Sequence, residues 1–150
     1  MTLPSVLVLG HRFASLEREK QVLAGVATVL DSNTLTPEQL EAAVHETSGI
    51  LLGTRARVDA SLISKLDHCK VVARYGVGLD NIDIDECTRR GIIVANVPEF
   101  CIHEVSDHAV TLLLAASRRI IAAHQASRTG KWSMAVMEGV DRLANQTAGI

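Results

Sequence analysis

The sequence predicts an α/β protein built on a doubly wound parallel sheet, and three observations lead to this fold class. Five short apolar runs alternate with segments of helical spacing along the first part of the chain. The chain is 47% hydrophobic but only 3% aromatic, so its core must be aliphatic. Val, Ile, Leu and Ala dominate, as they do in buried parallel strands and the helices that cover them. A length of 150 residues suits one domain, or one domain and part of another.

The predicted elements follow one another at regular spacing. The predicted strands cover residues 5–9, 26–30, 49–52, 71–73 and 92–95, and a helix over residues 16–24 separates the first two. Thr36 can cap the second helix, Pro37 fits its first turn, and Gln39 can complete a capping box.

Two further helices begin at acidic capping residues. Asp59 can cap a helix that continues through Leu66. Asp83 and Glu86 form a second capping-box pattern, and the helix that they open ends at Gly91. Right-handed crossovers then place helices on both faces of the sheet.

The pattern changes after Pro98. Residues 103–124 contain no Gly or Pro and are apolar nearly all round. This predicts one long helix that is buried on several sides, as between two domains or two subunits. Residues 127–144 are less regular, and residues 147–150 resemble the start of another strand.

Charge and cysteine content exclude several classes of function. A net charge of −2 does not favour nucleic acid or an anionic membrane as a partner. No basic region precedes the first apolar run, so we expect no signal peptide, and residues 111–116 are too few to span a bilayer. Cys69, Cys87 and Cys101 show no metal-binding spacing, which predicts reduced thiols, no metal site and a cytoplasmic protein.

Candidate binding residues follow two of the strands, where ligands of open parallel sheets bind. Gly76 and Gly78 permit a tight turn that aims successive backbone N–H groups at one point, forming a nest for a carboxylate or phosphate. A βα turn without a ligand explains the same pair about equally well. After the third strand, next to Thr54, Arg55 could clamp an acid group, although a solvated loop arginine explains it more readily.

Histidine and acidic residues also lie together on the long predicted helix. His103 with Asp107, and Glu104 with His108, are each four residues apart on one helical face. Metal binding is conceivable there, but helix capping and ordinary side-chain pairing explain these residues better.

Four motifs occur in order between residues 74 and 119. They are a Gly-x-Gly loop at 76–78, Asp-Asn-Ile-Asp at 80–83, Asn-Val-Pro at 96–98 and Glu-Val-Ser-Asp-His at 104–108. This stretch resembles the signature of the D-isomer-specific 2-hydroxyacid dehydrogenases. Arg128 to Trp132 is similar to the Arg-x-Gly-x-Trp arm of that family, so essentially the whole chain fits the family's first half.

The resemblance implies a flavodoxin-like substrate domain over residues 1–98, followed at 99–150 by an interdomain helix and the start of a Rossmann domain. It implies hydride transfer between NAD or NADP and a D-2-hydroxyacid or 2-keto acid. The backbone amides of Tyr75, Gly76, Val77 and Gly78 would hold the substrate's carboxylate. Val77 and Val105 would lie near the nicotinamide, and a homodimer would form through the 103–124 helix and the 128–132 arm.

The sequence also departs from the family pattern. The family's Gly-x-Gly-x-x-Gly loop and its catalytic Arg, acidic residue and His have no counterpart here and are expected further on, so we expect an incomplete, inactive N-terminal portion. His103 and His108 would belong to the interdomain helix. Gly53 stands where phosphoglycerate-specific members often carry arginine, which counts against a phosphorylated substrate.

Two other functions fit the same layout. A co-repressor-like binding module without catalysis could use this fold, because fold does not determine function. A phospho-receiver domain needs an aspartate at the end of the third strand and an acidic pair after the first. Leu52-Gly53 and Gly10-His11 occupy those positions, which argues strongly against a receiver.

Overall fold

The computed structural model describes residues 2–149, which divide into two compact units between Phe100 and Cys101. The described part of the first unit contains five strands and four helices. The strands are β1 (Ser5–Leu9), β2 (Thr28–Asp31), β3 (Gly49–Leu52), β4 (Val71–Arg74) and β5 (Ile93–Ala95). The helices are α1 (Glu17–Val22), α2 (Pro37–Glu46), α3 (Ala60–Ser64) and α4 (Ile84–Arg89).

The five strands form one parallel sheet in the order β2-β1-β3-β4-β5, which confirms the predicted fold class. The chain leaves β1 toward β2 and then returns past β1 to β3. This reversal of direction makes the carboxyl ends of β1 and β3 the switch point of the sheet, where a crevice forms in doubly wound folds.

The core of the first unit is aliphatic, as the composition predicts. Fully buried side chains from the central strands meet side chains from α3 and α4, and the cluster includes Leu7, Ile50, Leu52, Ile63, Val72 and Cys87. Burying one such aliphatic side chain stabilises the fold by about 1.5–3 kcal/mol. No aromatic side chain belongs to the buried core of residues 2–149.

Two of the predicted helix caps form as expected. The Thr36 hydroxyl accepts a bond from the Gln39 N–H at 3.3 Å, and the Gln39 side chain accepts from the Thr36 N–H at 2.9 Å. Asp59 accepts from the Leu62 N–H at 2.9 Å, although α3 ends at Ser64, two residues before the predicted end.

The second predicted capping box forms only in part. Asp83 accepts from the Glu86 N–H at 2.9 Å, but the Glu86 carboxylate pairs with Arg89 and Arg90 and not with the backbone of Asp83. The start of β2 also differs from the prediction. The N–H groups of Val26 and Ala27 both bond to the Leu23 carbonyl in the turn after α1, so pairing with β1 begins only at Thr28.

The prediction of one helix over residues 103–124 is wrong. The described part of the second unit has two α-helices, α5 (Ile102–Ser117) and α6 (Ile120–Arg128), and 3₁₀ turns at Met134–Met137 and Leu143–Asn145. Arg119 adopts a left-handed backbone with φ of 50°, which a right-handed helix cannot continue. Its guanidinium donates to the Glu138 carbonyl at 2.7 Å, across the second unit.

Within this chain helix α5 is not buried, and its predicted burial between two domains or two subunits stays a prediction. None of its residues is buried, and Leu112, Leu113 and Leu114 are among its exposed apolar side chains. Residues 147–149 form no strand, and Ile150 lies outside the described residues. Among the helices that the structure describes, none combines the length and apolarity needed to cross a membrane.

Candidate functional site

A pocket of about 330 Å³ lies in the first unit where β1, β3 and β4 end. We call it the switch-point pocket. Its lining residues are His11, Arg12, Phe13, Gly53, Thr54, Tyr75, Gly76, Val97 and Phe100. They come from the segments after β1, β3, β4 and β5, so the parallel sheet brings together residues that are distant in sequence.

Two glycines hold the loops after β1 and β3 in direct backbone contact. A Cβ on Gly53 would lie 2.3 Å from the Gly10 carbonyl oxygen, and a Cβ on Gly10 would lie 2.5 Å from the Ala56 nitrogen. The Arg55 N–H donates to the same Gly10 carbonyl at 3.0 Å. No side chain fits at either glycine, so the two loops that line the pocket are fixed against each other.

Of the four backbone amides predicted to bind a carboxylate, those of Tyr75 to Gly78, the structure leaves two free. The Tyr75 N–H bonds to the Leu52 carbonyl at 3.0 Å and prolongs the sheet, and the Gly76 N–H bonds to the Arg74 carbonyl at 3.0 Å. The N–H groups of Val77 and Gly78 meet no acceptor among residues 2–149. Of the four amides from Tyr75 to Gly78, these two consecutive groups are therefore the ones that a ligand could reach.

Asn81 ties the loops after β3 and β4 together. Its buried amide group donates to the carbonyls of Gly53 at 3.1 Å and Ala56 at 2.8 Å. Its side-chain oxygen accepts from Arg74 Nε at 3.1 Å. These bonds occupy the Asn81 side chain, so it positions the site and is not available to a ligand. Sequence reasoning cites Asn81 only within a motif and misses this role.

Aromatic rings form one side of the switch-point pocket. The rings of Phe13 and Tyr75 meet edge to face, with centroids 4.9 Å apart and planes at 81°. The Tyr75 hydroxyl donates to Glu19 at 3.0 Å. Burial raises the pKa of Tyr75 above its ordinary value, and the bond and negative charge of Glu19 raise it further. The phenol therefore stays protonated, with its proton committed to Glu19.

His11 is a buried residue of the pocket that sequence reasoning does not select. Its Nε2 lies 2.8 Å from Asp31 Oδ1, and its Nδ1 accepts the Phe13 N–H at 3.2 Å. Because Nδ1 accepts, Nε2 carries the proton and donates to Asp31. Burial acts to raise the pKa of Asp31, but bonds from His11 and from the Asn33 N–H outweigh it, so the pKa is lowered.

The other candidate residues differ in their relation to the pocket. Thr54 lines it, whereas Arg55 is exposed and is not among the lining residues. Val105 lies in α5 of the second unit and is 60% exposed. Residues 2–149 contain no group of three His, Cys, Asp or Glu side chains that could hold a metal ion.

Comparison with known proteins assigns the chain to a family. The model of the D-isomer specific 2-hydroxyacid dehydrogenase catalytic domain matches residues 6–149. The chain belongs to this family.

Two curated relatives and one solved structure illustrate the match. A D-3-phosphoglycerate dehydrogenase of Mycobacterium bovis is 41% identical over 113 residues, which are 75% of this chain and 21% of that protein. A glyoxylate reductase of Thermococcus gammatolerans is 38% identical over 95 residues, or 63% of this chain and 28% of that protein. The solved 2-hydroxyacid dehydrogenase of Ketogulonicigenium vulgare is 30% identical with a TM-score of 0.71, and the match covers 98% of this chain and 45% of that one. The chain thus spans less than half the length of each of these family members.

The family uses a dinucleotide, and the residues of this chain do not form the pyrophosphate-binding part of such a site. No Gly-x-Gly-x-x-Gly motif occurs in the 150 residues. In Rossmann folds this loop connects a strand to a helix N-terminus that faces the pyrophosphate. Residues 101–149 contain helices and 3₁₀ turns but no strand.

Proposed function

We propose that the whole protein is an NAD- or NADP-dependent dehydrogenase of D-2-hydroxyacids, and that this chain contributes the site for the substrate's carboxylate. Family membership supports the reaction class. The observation that supports the role of this chain is the pair of unpartnered N–H groups at Val77 and Gly78. They follow β4 beside the switch-point pocket, at the edge of the sheet where ligands of doubly wound folds bind.

Two consecutive backbone donors suit a carboxylate, because each of its oxygens can accept one bond. Hydrogen bonds to a charged acceptor contribute about 1.5–3 kcal/mol each, and backbone donors need no charged side chain nearby. The contact between Gly10 and Gly53 and the bonds of Asn81 hold the neighbouring loops in place. The chain would thereby orient a 2-keto acid by its carboxylate before reaction.

We further propose that the protein is cytoplasmic and forms a homodimer through the 103–124 segment and the 128–132 arm. Exposed apolar side chains on α5 support the dimer, as does Trp132, which is 90% exposed. Patches of this kind usually mark interfaces. In the same proposal, Val77 and Val105 lie near the nicotinamide.

The carboxylate site can be tested directly on this chain. Pyruvate is titrated into ¹⁵N-labelled protein while the backbone amide resonances are followed, with pyruvamide as the neutral control. We expect saturable shifts of the Val77 and Gly78 amides with pyruvate and much smaller shifts with pyruvamide. Equal responses to the two compounds, or shifts confined to other loops, would refute the carboxylate site.

A further inference from the structure

The aromatic residues of this chain are few, and most of them converge on one pocket. The sequence contains two Phe, one Tyr and one Trp. Phe13, Tyr75 and Phe100 are far apart in sequence, and all three line the switch-point pocket. None of the three belongs to the hydrophobic core, which is built from aliphatic side chains.

The pocket walls formed by these residues are largely carbon. The Tyr75 hydroxyl is bound to Glu19, which is not among the lining residues. Both ring nitrogens of His11 are occupied, one by Asp31 and the other by the Phe13 N–H. Tyr75 and His11 can therefore present only the faces and edges of their rings to a ligand.

The rings are also accessible. Phe13 is 46% exposed and Phe100 is 71% exposed, although both are large apolar side chains. A volume of about 330 Å³ exceeds the roughly 150 Å³ cavity that suffices for a benzene ring. Aromatic rings favour further edge-to-face contacts of the kind that Phe13 and Tyr75 already make.

The pocket and the proposed carboxylate site are formed by consecutive residues of the chain. Gly76 lines the pocket and directly precedes the free amides of Val77 and Gly78. A ligand whose carboxylate binds those amides therefore has the aromatic walls within reach of its substituent. On the β3 side the backbone contact of Gly53 with Gly10 leaves no room for a cationic side chain.

We propose that the switch-point pocket binds the substituent of the substrate, and that the preferred substrate is a 2-keto acid or D-2-hydroxyacid with an aromatic substituent. This proposal rests on the proposed function, because the carboxylate of the same molecule occupies the Val77 and Gly78 amides. It separates the substrate from glyoxylate, which has no substituent. It also separates it from phosphorylated acids, because three aromatic rings line the pocket beside a single cationic lining residue, Arg12.

The test compares phenylpyruvate with pyruvate and 3-phosphoglycerate on the ¹⁵N-labelled chain. We expect phenylpyruvate to bind about tenfold more tightly than pyruvate or better, because only its ring gains apolar burial. Phe13→Ala and Phe100→Ala should each weaken phenylpyruvate binding about fivefold or more, and weaken pyruvate binding by a smaller factor. Phe100→Leu should recover part of the loss. Leu3→Ala, an exposed apolar site outside the pocket, is the matched control.

The outcomes separate the two proposals. If pyruvate shifts the Val77 and Gly78 amides but phenylpyruvate binds no more tightly, the aromatic preference is overturned and the carboxylate site survives. If no acid shifts those amides, both fail. Tightest binding of 3-phosphoglycerate, with dependence on the lining residue Arg12, would overturn the aromatic preference. So would changes of the Phe13 and Phe100 resonances with protein concentration alone, because the rings would then belong to an interface between copies.

Discussion

Gly76 and Gly78 look equivalent in sequence, but their backbones differ. Gly76 has φ of +133°, which residues with a side chain rarely adopt, whereas Gly78 is not among the positive-φ glycines. A Cβ on Gly76 would lie 2.7 Å from the Arg74 guanidinium, and one on Gly78 would lie 2.9 Å from the Asp80 carboxylate. Asp80 is exposed and can move, so only Gly76 requires the absence of a side chain.

We therefore expect Gly76→Ala to lower the free energy of unfolding by about 1–3 kcal/mol, as for other strained backbone positions. Gly78→Ala should stay within about 0.5 kcal/mol of the parent protein, as exposed substitutions usually do. Urea unfolding of the two variants measures the difference. If both variants lose the same free energy of unfolding, the positive φ of Gly76 is not the cause of the loss.

The bond between His11 and Asp31 makes stability depend on pH. The pKa of Asp31 is lowered in the folded state from its ordinary value of 3.8. The carboxylate therefore stabilises the fold above that value, and its contribution is lost as the pH falls through the folded-state pKa.

We expect Asp31→Asn to be less stable than the parent at pH 7 and to approach it as the pH falls to about 3. Urea unfolding of both proteins over this range measures the gap, with Asp85→Asn at an exposed helical position as the control. A gap that widens on acidification would contradict the assigned direction of the pKa shift.

At the level of elements, local capping patterns determine where helices begin, and distant contacts determine where some of them end. The capping box of α2 uses residues within one turn. The break between α5 and α6 instead accompanies a bond from Arg119 to the Glu138 carbonyl, nineteen residues away. The apolar pattern of residues 103–124 contains no information about that contact.

Loss of the α2 cap should have a measurable cost. We expect Thr36→Ala to lower the free energy of unfolding by about 1 kcal/mol, because the Gln39 N–H loses its acceptor. Thr36→Ser keeps the hydroxyl and should retain most of the stability. If both variants lose the same amount, the hydroxyl bond is not the source of the effect.

For the whole molecule, the distribution of apolar surface differs between the two units. Every buried hydrophobic side chain within residues 2–149 lies between Leu7 and Ile92, in the first unit. The second unit instead exposes apolar side chains on α5 and also Trp132. This contrast is the physical basis of the proposed homodimer.

Trp132 is the single tryptophan of the chain, so its fluorescence reports on that interface. We expect its emission to move to shorter wavelength as protein concentration rises, because association removes the indole from water. Sedimentation on the same samples should show a dimer over the same range. An emission maximum that does not change while a dimer forms would place the interface away from the arm.

The sequence by itself determined the fold class, three of the helix caps and the location of the glycine loop after β4. These features depend on residues close together in the chain: apolar runs, capping side chains and the Gly76–Gly78 pair. The sequence also contains the motifs by which it resembles the family.

Only the tertiary structure decided which groups at the site remain available. The Tyr75 amide is taken by the Leu52 carbonyl of the neighbouring strand, which leaves Val77 and Gly78. The bond from His11 to Asp31 and the meeting of Phe13 with Tyr75 likewise join separate parts of the chain. The physical reason is that a polar group bonds to the partner that strand order and register bring within about 3 Å. That partner is distant along the chain, so the residues around the group do not reveal it.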